Sequence, residues 1–289
     1  MESISKTISE IPGVVGLSAK HLESGKQIQH NADEVFFTAS TLKVPILFEL
    51  YRQVDNGVID ISSRIHIKDK HRSPGSGVLK ELGESIQPTL HDLALLMIII
   101  SDNSATDILF HLLDPVNINN TMADLGLSKT SIPMSCKDLL YSMYGVDTNN
   151  IFEGIRLVSD RLAQAKIIPG SQGMSEKDSD VSSPNDMTSL LEIIYKGEEL
   201  SEKSSASVMD ILERQQLNTI IPYLLPTGTR TAHKTGGVTG VRCDVGIVFG
   251  ATGPYTIAVM AKDLPKAQNV DSLLAQVSEA VYLEFNNPR

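Results

Sequence analysis

Cysteine is nearly absent: two residues in 289, Cys136 and Cys243, with no Cys or His cluster at ligand spacing around either. That excludes a disulfide framework, and with no export signal in view both are expected as reduced thiols. The seven histidines contain no His-x-His or His-x-x-x-His grouping, so no metal or other cofactor is expected. Long apolar runs are missing too. The longest, Leu93 to Ile100, is far short of the roughly 20 residues a membrane helix needs. Positive charge is also short: 25 Lys and Arg face 35 Asp and Glu, a net charge of -10. Nucleic acid and anionic membrane surfaces are poor partners for such a chain, which leaves small molecules as the partner class. Met1 to Pro12 lacks the basic start and apolar stretch of a secretory signal. A cytoplasmic location is therefore expected for the sequence as written, and a periplasmic or secreted one if a signal has been removed. Neither repeats nor low-complexity segments occur, and the oligomeric state is left open.

What is present is ordinary for a soluble globular protein: 41% hydrophobic and 21% charged residues, and enough length for a large domain or two lobes. Gly13 to His21 and Lys26 to His30 read as a hairpin around Glu23-Ser24-Gly25. A helix is expected from Ser40, where Leu42, Ile46, Leu47, Leu50 and Val54 recur at helical spacing, ending at Asp55-Asn56-Gly57. Ile59 to Gly77 is polar and turn-rich. Thr89 and Asp92 make a capping box before Leu93 to Ile100, which is apolar on all sides and so buried. Further helices are expected at Ala105–Leu113, Lys137–Tyr144, Phe152–Ala165 and Pro184–Tyr195, with Ile168 to Ser183 as a long loop. Cys243–Gly250 and Tyr255–Lys262 read as strands, and Asp271–Phe285 as a closing amphipathic helix. Strands at both ends of the chain imply one sheet built from the two termini. The fold class is thus α/β plus an all-α lobe, with an antiparallel sheet flanked by helices and a cleft between the lobes. The α/β lobe is expected from residues 1–56 and 215–289, and the helical lobe from 57–214.

Three short strings carry the chemistry: Ser40-Thr41-Leu42-Lys43, Ser101-Asp102-Asn103 and Lys234-Thr235-Gly236, in that order. Ser-x-x-Lys alone is weak, since Ser3-Ile4-Ser5-Lys6 fits it without any supporting context. Ser40, however, follows the apolar run Val35 to Ala39 and opens a helical pattern, and the other two strings each occur once. The ordered set resembles the class A branch of the serine β-lactamase and penicillin-binding protein superfamily, over nearly the whole chain but weakening from about Met134 to Ser183.

The residues suit that chemistry. A serine hydroxyl is a poor nucleophile until a base takes its proton, and Lys43 lies one helical turn after Ser40. Lys43 serves as a base only if burial or nearby cations such as Lys234 lower its pKa. Ser101 is expected to pass a proton to the leaving group, and Asn103 to orient the substrate or Lys43. Lys234 and Thr235 are expected to bind a substrate carboxylate on an edge strand, with Gly236 and Gly237 permitting close backbone approach. Arg242 is a further candidate for that carboxylate. The resemblance implies an oxyanion hole made by the backbone amides of Ser40 and Gly237.

One part of the family pattern is missing. Class A enzymes carry a glutamate in a Glu-x-x-Leu-Asn run that activates the deacylating water. The nearest stretch by position is Cys136-Lys137-Asp138-Leu139-Leu140, whose only carboxylate is Asp138; Glu153 lies farther on, in a segment that looks inserted. The expectation is a serine hydrolase acting through an acyl-enzyme, most simply on β-lactams. A cytosolic amidase, peptidase or esterase of the same fold, and a module that binds β-lactams or peptides without turnover, are the alternatives.

Overall fold

Strand-forming runs from both ends of the chain meet in one antiparallel sheet. The structure, a computed structural model, describes residues 2–265 and 270–286. In chain order the first half comprises α1 (Glu2–Ser9), β1 (Val14–His21), β2 (Gln27–His30), β3 (Phe36–Phe37), a 3-10 turn (Ala39–Leu42), α2 (Lys43–Asp55), α3 (Leu90–Ile99), α4 (Asn103–Leu113) and α5 (Pro115–Asp124). The second half comprises α6 (Cys136–Tyr144), α7 (Ile151–Ala163), β4 (Val181–Ser182), α8 (Pro184–Lys196), α9 (Glu202–Glu213), β5 (Thr231–Val238), β6 (Val241–Gly250), β7 (Gly253–Lys262) and α10 (Asp271–Asn286).

The five-stranded sheet runs β2-β1-β7-β6-β5, which leaves β5, with Lys234 to Gly237, on an edge. β1 pairs antiparallel with β7 (Leu17 opposite Val259), and β5 with β6 (Gly236 opposite Cys243). Alternation along β7 divides the core. Ala258 and Met260 face α2, α8 and α9, whereas Ile257, Val259 and Ala261 face α1 and α10. A smaller apolar cluster, with Leu139, Leu140, Met143 and Val158, joins α6 to α7.

Three helices depart from the sequence reading. In α1, Ile4 and Ile8 pack in the same apolar cluster as α10, a four-residue apolar spacing masked by the polar residues between. α5 has little apolar periodicity; it starts because the Asp114 side chain accepts the Val116 N–H and Pro115 stands in its first turn. In α9 two of the buried positions are serines, Ser204 and Ser205, so its inward face does not register as hydrophobic. The expected capping box at α3 is formed: the Asp92 N–H donates to Thr89 Oγ1 (3.0 Å) and the Thr89 N–H to Asp92 Oδ2 (2.8 Å). Leu95, Leu96 and Ile99 of α3 are half-buried rather than fully enclosed. Both cysteines are free and buried.

Candidate active site

Ser40 does not open an α-helix. It sits in the 3-10 turn Ala39–Leu42, and α2 begins at Lys43. Thr41 closes the turn, its N–H and its Oγ1 both donating to Thr38 O (3.0 and 2.7 Å). Ala39 has a φ of 44°, in the left-handed region that costs a residue with a side chain about 1 kcal/mol or more. The edge strand β5 holds the turn from the other side. A Cβ on Gly236 would lie 2.7 Å from Thr38 O and 3.0 Å from the backbone nitrogens of Ser40 and Thr41, so only glycine fits there.

Lys43, fully buried, projects from the first turn of α2 to the Ser101-Asp102-Asn103 turn. Its Nζ donates to Ser101 O (2.8 Å), Ser101 Oγ (2.9 Å) and Asn103 Oδ1 (2.8 Å), which uses all three ammonium hydrogens. Burial pushes the Lys43 pKa below the ordinary lysine value, opposed in part by Cys136, Asp102 and Asp107. Ser101 also has a left-handed backbone, φ 58°, and is held by its neighbours. Asp102 Oδ1 accepts the Ala105 N–H to cap α4, and Oδ2 accepts the N–H groups of Val78 and Leu79 (2.6 and 2.8 Å). Asn103 Nδ2 donates to Pro74 O, and Ser76 Oγ donates to Ser101 O (2.6 Å). Ser76 was not marked by any sequence motif.

Lys234 is likewise fully buried, and its Nζ donates to Thr235 O (2.7 Å). Its pKa lies well below the ordinary lysine value through burial and, second, the positive charge of Lys43; Asp244 acts in the opposite direction. Asp244 is itself satisfied, accepting from His233 Nδ1 (2.9 Å) and the Ile221 N–H (2.9 Å). Arg242 donates from Nη1 to Val238 O and Val241 O and pairs through Nε with Asp271 (3.3 Å).

A cavity of about 390 Å³ opens over Ser40, lined among others by Asn103, Gly237, Leu140 and Cys136. Lys43, Ser101, Lys234 and Thr235 are buried and are not among the residues lining it. The helix α7, from the segment that looks inserted, supplies one wall through Ser159, Leu162 and Ala163. A smaller adjoining cavity, about 290 Å³, shares Leu162, Ala163, Gly237 and Val238 and adds Arg242.

Neither candidate acid reaches this cavity. Asp138 is exposed and accepts from Ser135 Oγ (2.6 Å) at the N-terminus of α6, while Glu153 is exposed and accepts from Thr148 Oγ1 (2.8 Å) near that of α7. From this stretch Cys136, Leu139 and Leu140 line it, and Cys136 is the first residue of the run, at the position of the glutamate in Glu-x-x-Leu-Asn. The signal in the sequence is positional, a thiol where the family pattern has a carboxylate. Burial first, then the charge of Asp107, push the Cys136 pKa well above the usual thiol value, so it is a neutral thiol. Two buried carboxyl groups fix this corner. Asp107 accepts the N–H groups of Cys136 (2.6 Å) and Lys137 (3.0 Å), and Asp180 that of Met134 (3.0 Å).

The family model for the beta-lactamase enzyme family matches residues 1–285, and the chain belongs to that family. It is 22% identical to the extended-spectrum beta-lactamase PER-1 of Pseudomonas aeruginosa, across 97% of this chain and 85% of that one. Among solved structures, a beta-lactamase from Sphaerobacter thermophilus superimposes with a TM-score of 0.81 at 26% identity, covering 98% of this chain and 95% of that one. PBP-A superimposes with a TM-score of 0.80 at 29% identity, covering 98% and 94%; a variant of it has been solved as an acyl-enzyme with penicillin G. The fold is that of the β-lactamases and penicillin-binding proteins. Among the described residues no helix is long and apolar enough to cross a membrane, and no His, Cys, Asp and Glu group is arranged to hold a metal ion.

Proposed function

We propose that the chain is a serine hydrolase that opens carboxylate-bearing amides of the β-lactam type through an ester on Ser40, and that it releases the ester slowly. The observation that carries this reading is the hydrogen-bonded set Lys43, Ser101 and Asn103 beside a cavity that contains Ser40 and Cys136 but no carboxylate among its lining residues. Ser40 Oγ attacks the carbonyl carbon as its proton passes to a neutral Lys43, whose lowered pKa makes that form accessible. The oxyanion accepts hydrogen bonds from the backbone amides of Ser40 and Gly237, a donor of this kind contributing about 3 kcal/mol. As the C–N bond breaks, Ser101 Oγ–H protonates the departing nitrogen and is itself reprotonated by Lys43 through their 2.9 Å contact. Lys234 and Thr235 receive the substrate carboxylate, with Arg242 as a second cation in the adjoining cavity. Hydrolysis of the ester then requires a base for water, and a neutral Cys136 thiol is a poor one.

Rapid mixing with excess nitrocefin is expected to give a burst of about one ring-opening per protein followed by a much slower steady rate, with Ser40→Ala showing neither phase. A linear course with no burst, or a burst retained in Ser40→Ala, contradicts the proposal.

The two glycines of β5 separate close approach from mere turn formation. Gly236→Ala is expected to slow acylation by about 100-fold, because its Cβ meets backbone of the Ser40 turn, which must shift. Gly237→Ala, whose Cβ would meet only the flexible end of Arg242 at 3.1 Å, is expected to stay within a few-fold of wild type. Stopped-flow acylation rates for the two variants test this contrast.

A further inference from the structure

A second cavity, of about 390 Å³, lies beside α4 on the far side of Asp107 from Ser40's cavity and shares none of its lining residues. Its walls divide by chemistry. Ile65, Ile108 and Leu112 are apolar, whereas Lys70 and Lys137 stand where it adjoins another cavity, which they also line. In a chain of net charge -10, residues 64–72 hold Arg64, Lys68, Lys70 and Arg72 against a single acid, Asp69. That acid is already paired with Arg72 (2.9 Å). Lys70 and Lys137 have no carboxylate partner among the described residues, and the nearest buried acid does not supply one. Both oxygens of Asp107 are occupied, Oδ1 by the Cys136 N–H and Oδ2 by Ser73 Oγ (2.5 Å) and the Lys137 N–H.

We infer that this cavity binds a small amphiphilic carboxylate, its headgroup between the ammonium groups of Lys70 and Lys137 and its hydrocarbon body against Ile65, Ile108 and Leu112. The volume lies within the range of small-molecule sites, which pair apolar walls with a few convergent polar groups. Asp107 lines this cavity as well, but its oxygens are taken up by backbone and Ser73 donors, and Asp147 lines the adjoining cavity, so the headgroup stays on the lysines. His71 adds a donor: its Nδ1 accepts the Lys68 N–H (3.2 Å), which leaves Nε2 to carry the hydrogen in the neutral ring. Burial and the neighbouring charges of Lys70, Lys68 and His66 hold its pKa below the usual histidine value, favouring that neutral ring. The pairing of charge with apolar surface predicts selectivity: a short carboxylate lacks the body, and a neutral alcohol lacks the headgroup.

The test is titration of the full chain, labelled at isoleucine δ-methyl groups, with sodium octanoate, followed by the shifts of the Ile65 and Ile108 signals. Saturable shifts of both are expected, with acetate and 1-octanol binding at least about 10-fold more weakly. Lys70→Glu/Lys137→Glu is expected to weaken octanoate by at least about 10-fold, and so is Leu112→Glu, which puts an acid at an exposed position of the lining. These substitutions are at exposed or half-exposed positions, so unchanged melting temperatures are expected and separate loss of binding from loss of fold. No saturable shift at Ile65 and Ile108, equal affinity for acetate, or undiminished binding by the charge variants overturns the inference.

Discussion

Cys136→Glu is expected to turn a long-lived acyl-enzyme into one that hydrolyses, raising the deacylation rate by about 100-fold or more, the usual contribution of a positioned general base. The residue lines the cavity that contains Ser40. Its position is the first in the run that corresponds to the family's glutamate. The wild-type thiol is kept neutral by burial and by Asp107, to which it is hydrogen-bonded. A carboxylate there lies in the field of the Lys43 ammonium, which favours the ionised form a base needs against the opposing charges of Asp107 and Asp180. Pre-steady-state measurement of both half-reactions checks the prediction: acylation is expected to change by only a few-fold while deacylation rises. Equal deacylation in the variant and wild type shows that release is limited elsewhere.

Lys234→Met is expected to raise stability while lowering acylation of carboxylate-bearing substrates by about 100-fold, the loss of a hydrogen bond to a charged group. Lys234 is buried, and its side chain donates to a single backbone carbonyl. Asp244, the acid within its electrostatic reach, keeps its own partners His233 and Ile221 when the ammonium is gone. A buried ammonium whose pKa is pushed down mainly by desolvation costs the fold free energy, and replacing it by an apolar side chain of similar length is expected to stabilise by about 1 kcal/mol or more, which moves the melting temperature by about 2–4 °C in a chain of this size.

The sign of the pH dependence follows from the lowered pKa. The unfolded chain holds its Lys234 proton up to its ordinary value of 10.5, whereas the native chain gives it up at lower pH. Within that window the unfolded state binds more protons, so wild-type stability rises with pH. The advantage of Lys234→Met is therefore greatest near neutral pH or below and shrinks toward pH 10.5. Thermal unfolding across that range, read beside acylation rates, tests both halves. A variant less stable than wild type at neutral pH would falsify this view of Lys234 as a destabilising functional residue.

Much of the fold was legible because local signals and burial agree. The hairpin of β1 and β2, the capping box of α3, and the strands β6 and β7 all combine periodicity with turn or cap residues. Recognition failed where inward positions are not apolar, as at Ser204 and Ser205 of α9, or where only a cap marks the helix, as at Asp114 before α5. At the site, the three strings gave the residue types but not the wiring. Spacing suggested that Lys43 faces Ser40. The structure adds what spacing could not show: the hydrogen bonds of Lys43 run to Ser101 and Asn103, and the Ser40 turn is a 3-10 segment ahead of α2 and not its first turn. Likewise, helical spacing says nothing of which residue of the run 136–140 faces Ser40's cavity. Asp138 is turned outward to Ser135 at the helix cap, and Cys136, Leu139 and Leu140 line the nucleophile's cavity.

Acylation of Ser40 with slow release is tested most directly by intact-protein mass spectrometry over time after mixing with penicillin G, followed by peptide mapping. The expected result is one adduct with the mass of the whole drug, carried on Ser40, persisting long after it forms and absent from Ser40→Ala. An adduct on another residue, no adduct together with no turnover, or an adduct that decays as fast as it forms contradicts it.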